Sequence, residues 1–263
     1  MAGEPEQEEE RTGLEESAED PAEELTAQVT GGVLYLVATP IGHRGDLSPR
    51  ARAVLAAADV VAAEDTRHTG RLLASLGIHR RLESFHEHNE AAATPRLIAH
   101  LKSGRSVALA SDAGTPGLSD PGFVLVRAAV AEGIVVSAVP GPTALIAALT
   151  VSGLPTDAFT FTGFLPPRSG RRRRVLEGLA ELPHTLVFYE SPYRLAATLA
   201  DLLAVLGDRP MAVCRELTKR FEEVRRGPLS ELAAFYATSK ARGEFTLVVA
   251  GAKAGLHKWP HTS

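Results

Sequence analysis

The sequence predicts an α/β protein built from two domains. Short apolar runs alternate with helical patterns from Gly31 onward, the arrangement of strands joined by crossover helices. Glycine-rich and polar segments fall directly after those runs, at what would be one edge of a parallel sheet. Beyond residue 157 the pattern changes and two strands follow one another at short spacing, which suits a second, mixed sheet. A chain of 263 residues accommodates both units.

The elements follow in order. Residues 33–38, VLYLVA, form a near-continuous apolar run, as in a strand covered on both faces. Ser48 and Pro49 start a helix, the serine as cap and the proline in the first turn. Residues 60–63 are the second strand. Residues 66–76 are helical and stop at Gly77. Residues 82–85 form a short strand, and a helix follows to Lys102. Residues 106–110 are the fourth strand, 123–132 a helix ending at Gly133, and 134–139 the fifth strand. The first domain is expected over 31–150, with 151–157 as a linker.

The second domain is expected over 158–252. Residues 159–163 are a strand, followed by an arginine-rich helix to Leu182, a strand at 185–190 and a helix at 193–206. Strands at 211–215 and 221–226 are close enough for an antiparallel pair. A helix opening at 227–230 precedes a last strand at 244–251. No internal repeat is visible.

Composition narrows the function classes. A hydrophobic content of 44% supports a large core. No run of about 18 apolar residues is present to span a membrane, and the N-terminus lacks a basic-then-apolar leader, so a cytoplasmic location is expected. Cys214 is the only cysteine, which excludes an internal disulfide or a multi-cysteine metal site. It is expected as a small core residue in a strand. The net charge of −4 conceals a division: residues 1–30 hold eleven acids and one base, leaving 21 acids against 27 bases in the rest. Residues 1–30 are expected to be a disordered acidic tail, and 253–263 a flexible C-terminus. The body is mildly basic, compatible with an acidic partner.

The segment from Ser111 to Gly122 is the most informative. Three glycines, two prolines and two aspartates occupy its twelve positions, directly after a buried strand. Glycine there lets backbone approach a ligand closely. A tight turn in which Asp120 caps the next helix is the plainer alternative. On the ligand reading, Gly114→Val blocks the ligand and leaves the fold intact, since loops tolerate substitution. Further motifs follow the other strands: Ala38-Thr39-Pro40-Ile41-Gly42, Ala63-Glu64-Asp65-Thr66-Arg67-His68-Thr69, Ser84-Phe85-His86-Glu87-His88-Asn89-Glu90, and Val139-Pro140-Gly141-Pro142-Thr143-Ala144. Neither G-x-G-x-x-G after the first strand nor a Walker loop is present. His86 and His88 lack further ligands at suitable spacing, so no metal is expected.

The segments LYLVATPIG, AAEDTRHTGRLL, SFHEHNE, LASDAGTPGLSDPG, VPGPTALIAAL, GFLPPR, FYESPYR and CRELTKRFEE, spread from Gly31 to Gly251, together resemble the S-adenosylmethionine-dependent tetrapyrrole methylases. More narrowly, they resemble the branch that methylates a cytidine ribose 2′-hydroxyl of 16S ribosomal RNA. His43 departs from that branch, which more often has asparagine there. The resemblance implies an α/β fold of two α/β domains of tetrapyrrole-methylase type, with S-adenosylmethionine in the cleft between them. Carried over residue by residue, it places Thr39, Pro40, Gly42, Asp112, Ala113, Gly114, Thr115, Gly117, Pro140, Gly141, Pro142, Thr143 and Ala144 near that cofactor. Glu190 and Ser191 would close the other side.

On this resemblance the reaction is methyl transfer to a ribose hydroxyl, which needs a proton acceptor or a cation that stabilises the alkoxide. Candidates are Asp65, His86 and Glu64, with His88 and Glu90 behind them; Asp65 equally suits a cap for the helix at Thr66. The partner would be 16S rRNA in the 30S subunit, held by Arg67, His88, Arg168, Arg171, Arg172, Arg173, Arg174, Lys219 and Arg220. The arginine run equally suits a solvated helix face. A homodimer is implied by resemblance alone. Two other readings are a small-molecule tetrapyrrole methyltransferase and a catalytically silent ribosome-binding protein. The tetrapyrrole branch carries G-x-G-P-G-D where this chain has Thr39-Pro40-Ile41-Gly42-His43.

Overall fold

The computed structural model describes residues 29–252. The expected acidic tail, apart from residues 29 and 30, and the expected flexible C-terminus lie outside the described residues.

The first sheet contains β1 (Leu34–Val37), β2 (Val60–Ala63), β3 (Leu82–Ser84), β4 (Val107–Ala110) and β5 (Val136–Val139). Their order is β3-β2-β4-β1-β5, and every pair is parallel. Helices α1 (Pro49–Ala57), α2 (Thr66–Ser75), α3 (Glu90–Lys102) and α4 (Phe123–Ala131) cover both faces. Alternate strand residues sort between two cores, as the period of two in a strand requires. Tyr35, Val37 and Val61 meet Leu55 of α1 and Leu73 of α2. Leu34, Val60 and Leu109 meet Leu97 of α3 and Leu125 of α4. Thus β1 hands the chain to one face and its neighbour β4 to the other. The loops leaving them part, which opens a crevice at the carboxyl edge of the sheet.

Local signals explain the helix ends. Ser48 Oγ accepts the Ala51 N–H at 3.0 Å, with Pro49 in the first position of α1. Gly77, after α2, sits at φ +72°, where a side chain would be strained.

The second sheet contains β6 (Phe159–Phe164), β7 (Thr185–Glu190), β8 (Pro210–Arg215), β9 (Glu223–Pro228) and β10 (Phe245–Val249), in the order β6-β7-β10-β8-β9. Only the β6–β7 pair is parallel. Helices α6 (Ser169–Leu179), α7 (Leu195–Leu206) and α8 (Leu229–Thr238) pack one face around Leu176, Phe188, Leu199 and Leu247. The opposite face is covered by α5 (Ala144–Ser152), which follows β5 of the first sheet. Its Leu145, Ala148 and Leu149 pack on Val187, Ala212, Cys214 and Val248, with Ile41 in the same cluster. Cys214 is buried there.

Several boundaries differ from the sequence reading by up to three residues. Val151 and Ser152, expected in a linker, complete α5, because Ser152 is buried and Gly153 ends the helix at φ +76°. Helix α6 stops at Leu179 instead of Leu182. Strand β9 starts at Glu223 and runs to Pro228, because residues 216–222 form a tight loop with Glu216 and Thr218 at positive φ. No described helix is long and apolar enough to cross a membrane.

Candidate functional site

The crevice is framed by backbone pairing between loops. Thr39 N–H donates to the Gly114 carbonyl at 2.8 Å, and Gly114 N–H returns the bond at 3.0 Å. Thr39 Oγ1 donates to the Ser111 carbonyl at 3.0 Å. Gly114 sits at φ +83°, so the pairing needs a glycine. Thr115 Oγ1 donates to the Pro142 carbonyl at 3.3 Å, which brings in the loop after β5. Gly141 packs so closely on Ala38 that a Cβ there would lie 2.8 Å from Ala38 Cβ. Asp112 Oδ1 accepts the Asp65 N–H at 3.0 Å and attaches the loop after β2.

The second sheet closes the other side. The Tyr189 hydroxyl accepts the Leu145 N–H at 3.1 Å, and its ring meets the edges of Phe161 and Phe164. Glu190 is buried and fully engaged: it accepts Ser191 N–H at 2.8 Å and the Thr198 hydroxyl at 2.5 Å, and pairs with Arg194 at 3.2 Å. Across the crevice, His43 N–H donates to Thr218 Oγ1 at 3.0 Å.

These walls enclose two adjoining cavities. The first, about 320 Å³, is lined by Glu64, the stretch from Asp112 to Thr115, Asp120, Thr143, Ala144, Phe164 and Tyr189 among others. The second, about 560 Å³, is lined by Pro40, Gly42, Arg44, His68, Arg71, Leu72 and Lys219. Ile41, Asp112, Ala113 and Glu244 belong to both.

Two carboxylates of the first cavity, Asp120 and Glu64, are perturbed. Burial, and then the negative charge of Glu64, push Asp120 up to about 7. Burial and then Asp112 raise Glu64 above the usual carboxylate range. Three non-glycine residues with positive φ flank the cavities: Ser119, Glu216 and Thr218. Backbone strain of this kind gathers where a site demands a particular geometry.

A profile of the family described as Tetrapyrrole (Corrin/Porphyrin) Methylases matches residues 33–233. This chain belongs to that family. A relative from Xylella fastidiosa, named Ribosomal RNA small subunit methyltransferase I, is 54% identical, covering 85% of this chain and 83% of its own length. Among solved structures, a uroporphyrin-III-C-methyltransferase from Thermus thermophilus is 27% identical with a TM-score of 0.59, covering 86% of this chain and 96% of that one. Another uroporphyrin-III C-methyltransferase structure from Thermus thermophilus, complexed with S-adenyl homocysteine, shares the fold at 22% identity and a TM-score of 0.58, covering 83% of this chain and 97% of that one.

Within this tetrapyrrole methylase the expected cofactor residues fall into three groups. Asp112, Ala113, Gly114, Thr115, Thr143, Ala144, Glu190 and Ser191 line the first cavity, and Pro40 and Gly42 line the second. Thr39, Gly141 and Pro142 stand behind the wall and hold it, while Pro140 is exposed and lines neither cavity. Gly117 lines neither cavity.

Several expected roles change. Asp65 caps α2: its carboxylate accepts Arg67 N–H at 2.8 Å and His68 N–H at 3.3 Å. The Arg67 backbone and side chain hold it below the usual carboxylate range, which suits a cap and not a proton acceptor. Asp120 is no cap, because Gly122 occupies the N-cap of α4 without a side-chain bond; Asp120 faces the cavity instead. His86 lines neither cavity; its buried Nδ1 has no partner among the described residues, and its ring lies 6.0 Å from that of exposed His88.

Arg172 is only 3% exposed and cannot meet RNA. It pairs with Asp201 at 2.6 Å and donates to the Pro167 carbonyl at 3.2 Å, as an arginine facing the core must. Arg173 is taken by the same carboxylate at 2.6 Å. Burial alone would raise Asp201, but hydrogen bonds from Arg173, Ser169 and Arg172 outweigh it and lower its pKa. Arg168, Arg171 and Arg174 are exposed. Lys219 is held by Glu216 at 3.0 Å and Glu244 at 2.7 Å, Arg67 pairs with Asp65, and Arg220 lies over the Phe221 ring.

Sequence reasoning missed Asp120 as a site residue, although it lies inside the strongest motif. It also missed Tyr189, Arg44, Arg71 and Glu244, which no short-range signal sets apart.

Proposed function

We propose that this chain transfers a methyl group from S-adenosylmethionine to a cytidine ribose 2′-hydroxyl of 16S rRNA in the small ribosomal subunit. The observation that carries this reading is the 54% identity, over most of both chains, to a protein named Ribosomal RNA small subunit methyltransferase I. The residues present fit the cofactor. The first cavity has a volume ordinary for a small-molecule site. Its wall from Asp112 to Thr115 offers close backbone approach at Gly114, and Glu64, Asp112 and Asp120 suit a ligand that carries positive charge.

When bound, S-adenosylmethionine supplies an electrophilic methyl group on a sulfonium. The chain's own task is to align the ribose oxygen and receive its proton. Asp120, with a pKa at about 7, is partly ionised at neutral pH and serves as the proton acceptor, and Glu64 beside it sustains that pKa. The rings of Phe164 and Tyr189 supply an apolar surface on one wall of the cavity.

A homodimer belongs to the same reading. Phe123 and Val130, seven residues apart on α4, and Val135 beside edge strand β5 are 69%, 64% and 62% exposed. An apolar stripe of this kind suits a self-complementary face.

The test is methyl transfer from labelled S-adenosylmethionine to purified 30S subunits. Label appearing in 16S rRNA supports the reading. Label appearing only in a tetrapyrrole acceptor would move the chain to the small-molecule branch, and cofactor binding without transfer would make it a silent binder.

A further inference from the structure

We propose that the second cavity holds the RNA backbone beside the target ribose, with Arg44 and Arg71 as its phosphate contacts. This rests on the rRNA reading above. It moves the RNA contact from the arginine run of α6 to the mouth of the cleft.

The cations of the site are segregated. No Lys, Arg or His lines the first cavity, whereas Arg44, His68, Arg71 and Lys219 all line the second. The two cavities share Ile41, Asp112, Ala113 and Glu244, so a ligand in one abuts a ligand in the other. Methyl transfer requires such adjacency between donor and acceptor.

Not every charge on the second wall is available. Lys219 is matched by Glu216 and Glu244, and Asp112 already accepts the Asp65 N–H. Arg44 and Arg71 differ: among the described residues neither makes an ion pair or a side-chain hydrogen bond. Other arginines nearby are engaged, with Arg52 on the Leu76 carbonyl, Arg80 on the Ala56 carbonyl and Arg67 on Asp65. Unengaged guanidinium groups on a concave wall are suited to phosphate, which they can hold with two parallel bonds.

Both arginines are presented from fixed elements. His68, Arg71 and Leu72 share one face of α2 by their i, i+3, i+4 spacing, and Leu72 adds an apolar surface beside the cations. Arg44 opens a 3-10 turn, Arg44–Asp46. His43 Nδ1 accepts the Gly45 N–H at 3.1 Å, and the His43 backbone is bonded to Thr218 across the crevice. The turn is therefore tied to both domains. The competing occupant for these cations is the carboxylate of the cofactor itself.

The experiment uses the full chain with both arginines changed, Arg44→Gln and Arg71→Gln. S-adenosylmethionine affinity is measured by calorimetry, KM for 30S subunits by label transfer, and 16S rRNA binding across a salt series. The expected result is cofactor affinity within twofold of wild type, KM for 30S subunits at least tenfold higher, and kcat little changed. The slope of log affinity against log salt should flatten by about 1.4 to 1.8 for two lost phosphate contacts. Arg44→Lys with Arg71→Lys should retain most of the slope, since the charge is kept. Should the double variant melt early, each single variant carries the same test with about half the slope change. Unchanged KM and slope would overturn the proposal. So would lost cofactor affinity at an unchanged melting temperature, which would assign the cations to the cofactor. A wild type inactive on 30S subunits would instead overturn the functional reading, and the salt slope of RNA binding would still decide the pocket.

Discussion

Thr39 and Gly114 exchange both of their backbone hydrogen bonds, an isolated antiparallel bridge at the edge of an otherwise parallel sheet. The loops after β1 and β4 are thereby one rigid wall, and its geometry depends on φ +83° at Gly114. An added Cβ would meet Ile41 Cγ2 at 3.4 Å and the Pro142 carbonyl at 3.7 Å. The sequence reading treated Gly114→Val as neutral to folding, and the bridge removes that separation. Gly114→Ala is expected to destabilise the fold by about 1–2 kcal/mol, and Gly114→Val by more, along with weaker cofactor binding. Urea denaturation monitored by circular dichroism measures the first effect and calorimetry the second.

The role proposed for Asp120 predicts a pH-dependent activity. As the proton acceptor it must be ionised, so kcat/KM should rise with pH through about 7 and level off above it. Asp120→Asn should abolish that inflection and most of the activity, while Glu64 and Asp112 keep cofactor binding measurable. Stability runs the other way. A carboxyl whose pKa is raised in the folded state favours folding while protonated, and this advantage is lost as pH rises from the unfolded value near 3.8 toward 7. Asp120→Asn should therefore raise the melting temperature at pH 8 and leave it unchanged at pH 3.5. An inflection that persists in the variant would remove Asp120 from the proton path.

The arginine run of α6 should split in two. Arg172→Ala leaves the buried Asp201 carboxylate short of its main partner and is expected to cost about 3–5 kcal/mol, less whatever Arg173 recovers. Arg171→Gln with Arg174→Gln, on exposed positions, should shift stability by no more than about 0.5 kcal/mol. Equal stability losses in the two variants would contradict this division.

Changing Phe123 and Val130 to Asp should give a monomer, while wild type runs as a dimer at micromolar concentration. Light scattering reads this directly. A wild-type monomer would dispose of the dimer and leave the apolar stripe on α4 without a partner.

Much of the first sheet was legible because its signals are local. The Ser48-Pro49 start and the Gly77 stop act within a turn of the residues that carry them. Unbroken apolar runs such as Val107–Ala110 identify buried parallel strands without knowledge of their neighbours. The wall from Asp112 to Thr115 was legible for the same reason, as a cluster of special residues after a strand. The misplaced roles depend on partners distant in sequence. Nothing near Arg172 reveals that Asp201 waits for it, and nothing near Arg71 reveals that it is left unengaged. Asp65 had two roles open, and the backbone N–H groups of Arg67 and His68 decided between them.

Helix α5 leaves the first sheet but closes the face of the second. The covalent break between the halves and the physical break therefore lie on opposite sides of this helix. A protease cut within residues 153–157 would separate the C-terminal half from its own lid, baring Val187, Ala212 and Val248 to water. The half that retains the helix would carry an apolar stripe with nothing to cover. A fragment beginning at Ala144 keeps lid and sheet together, including the Tyr189 hydroxyl bonded to Leu145. For splitting this protein into complementing pieces, the place to cut is the Pro140–Pro142 turn and not the segment that looks like a linker.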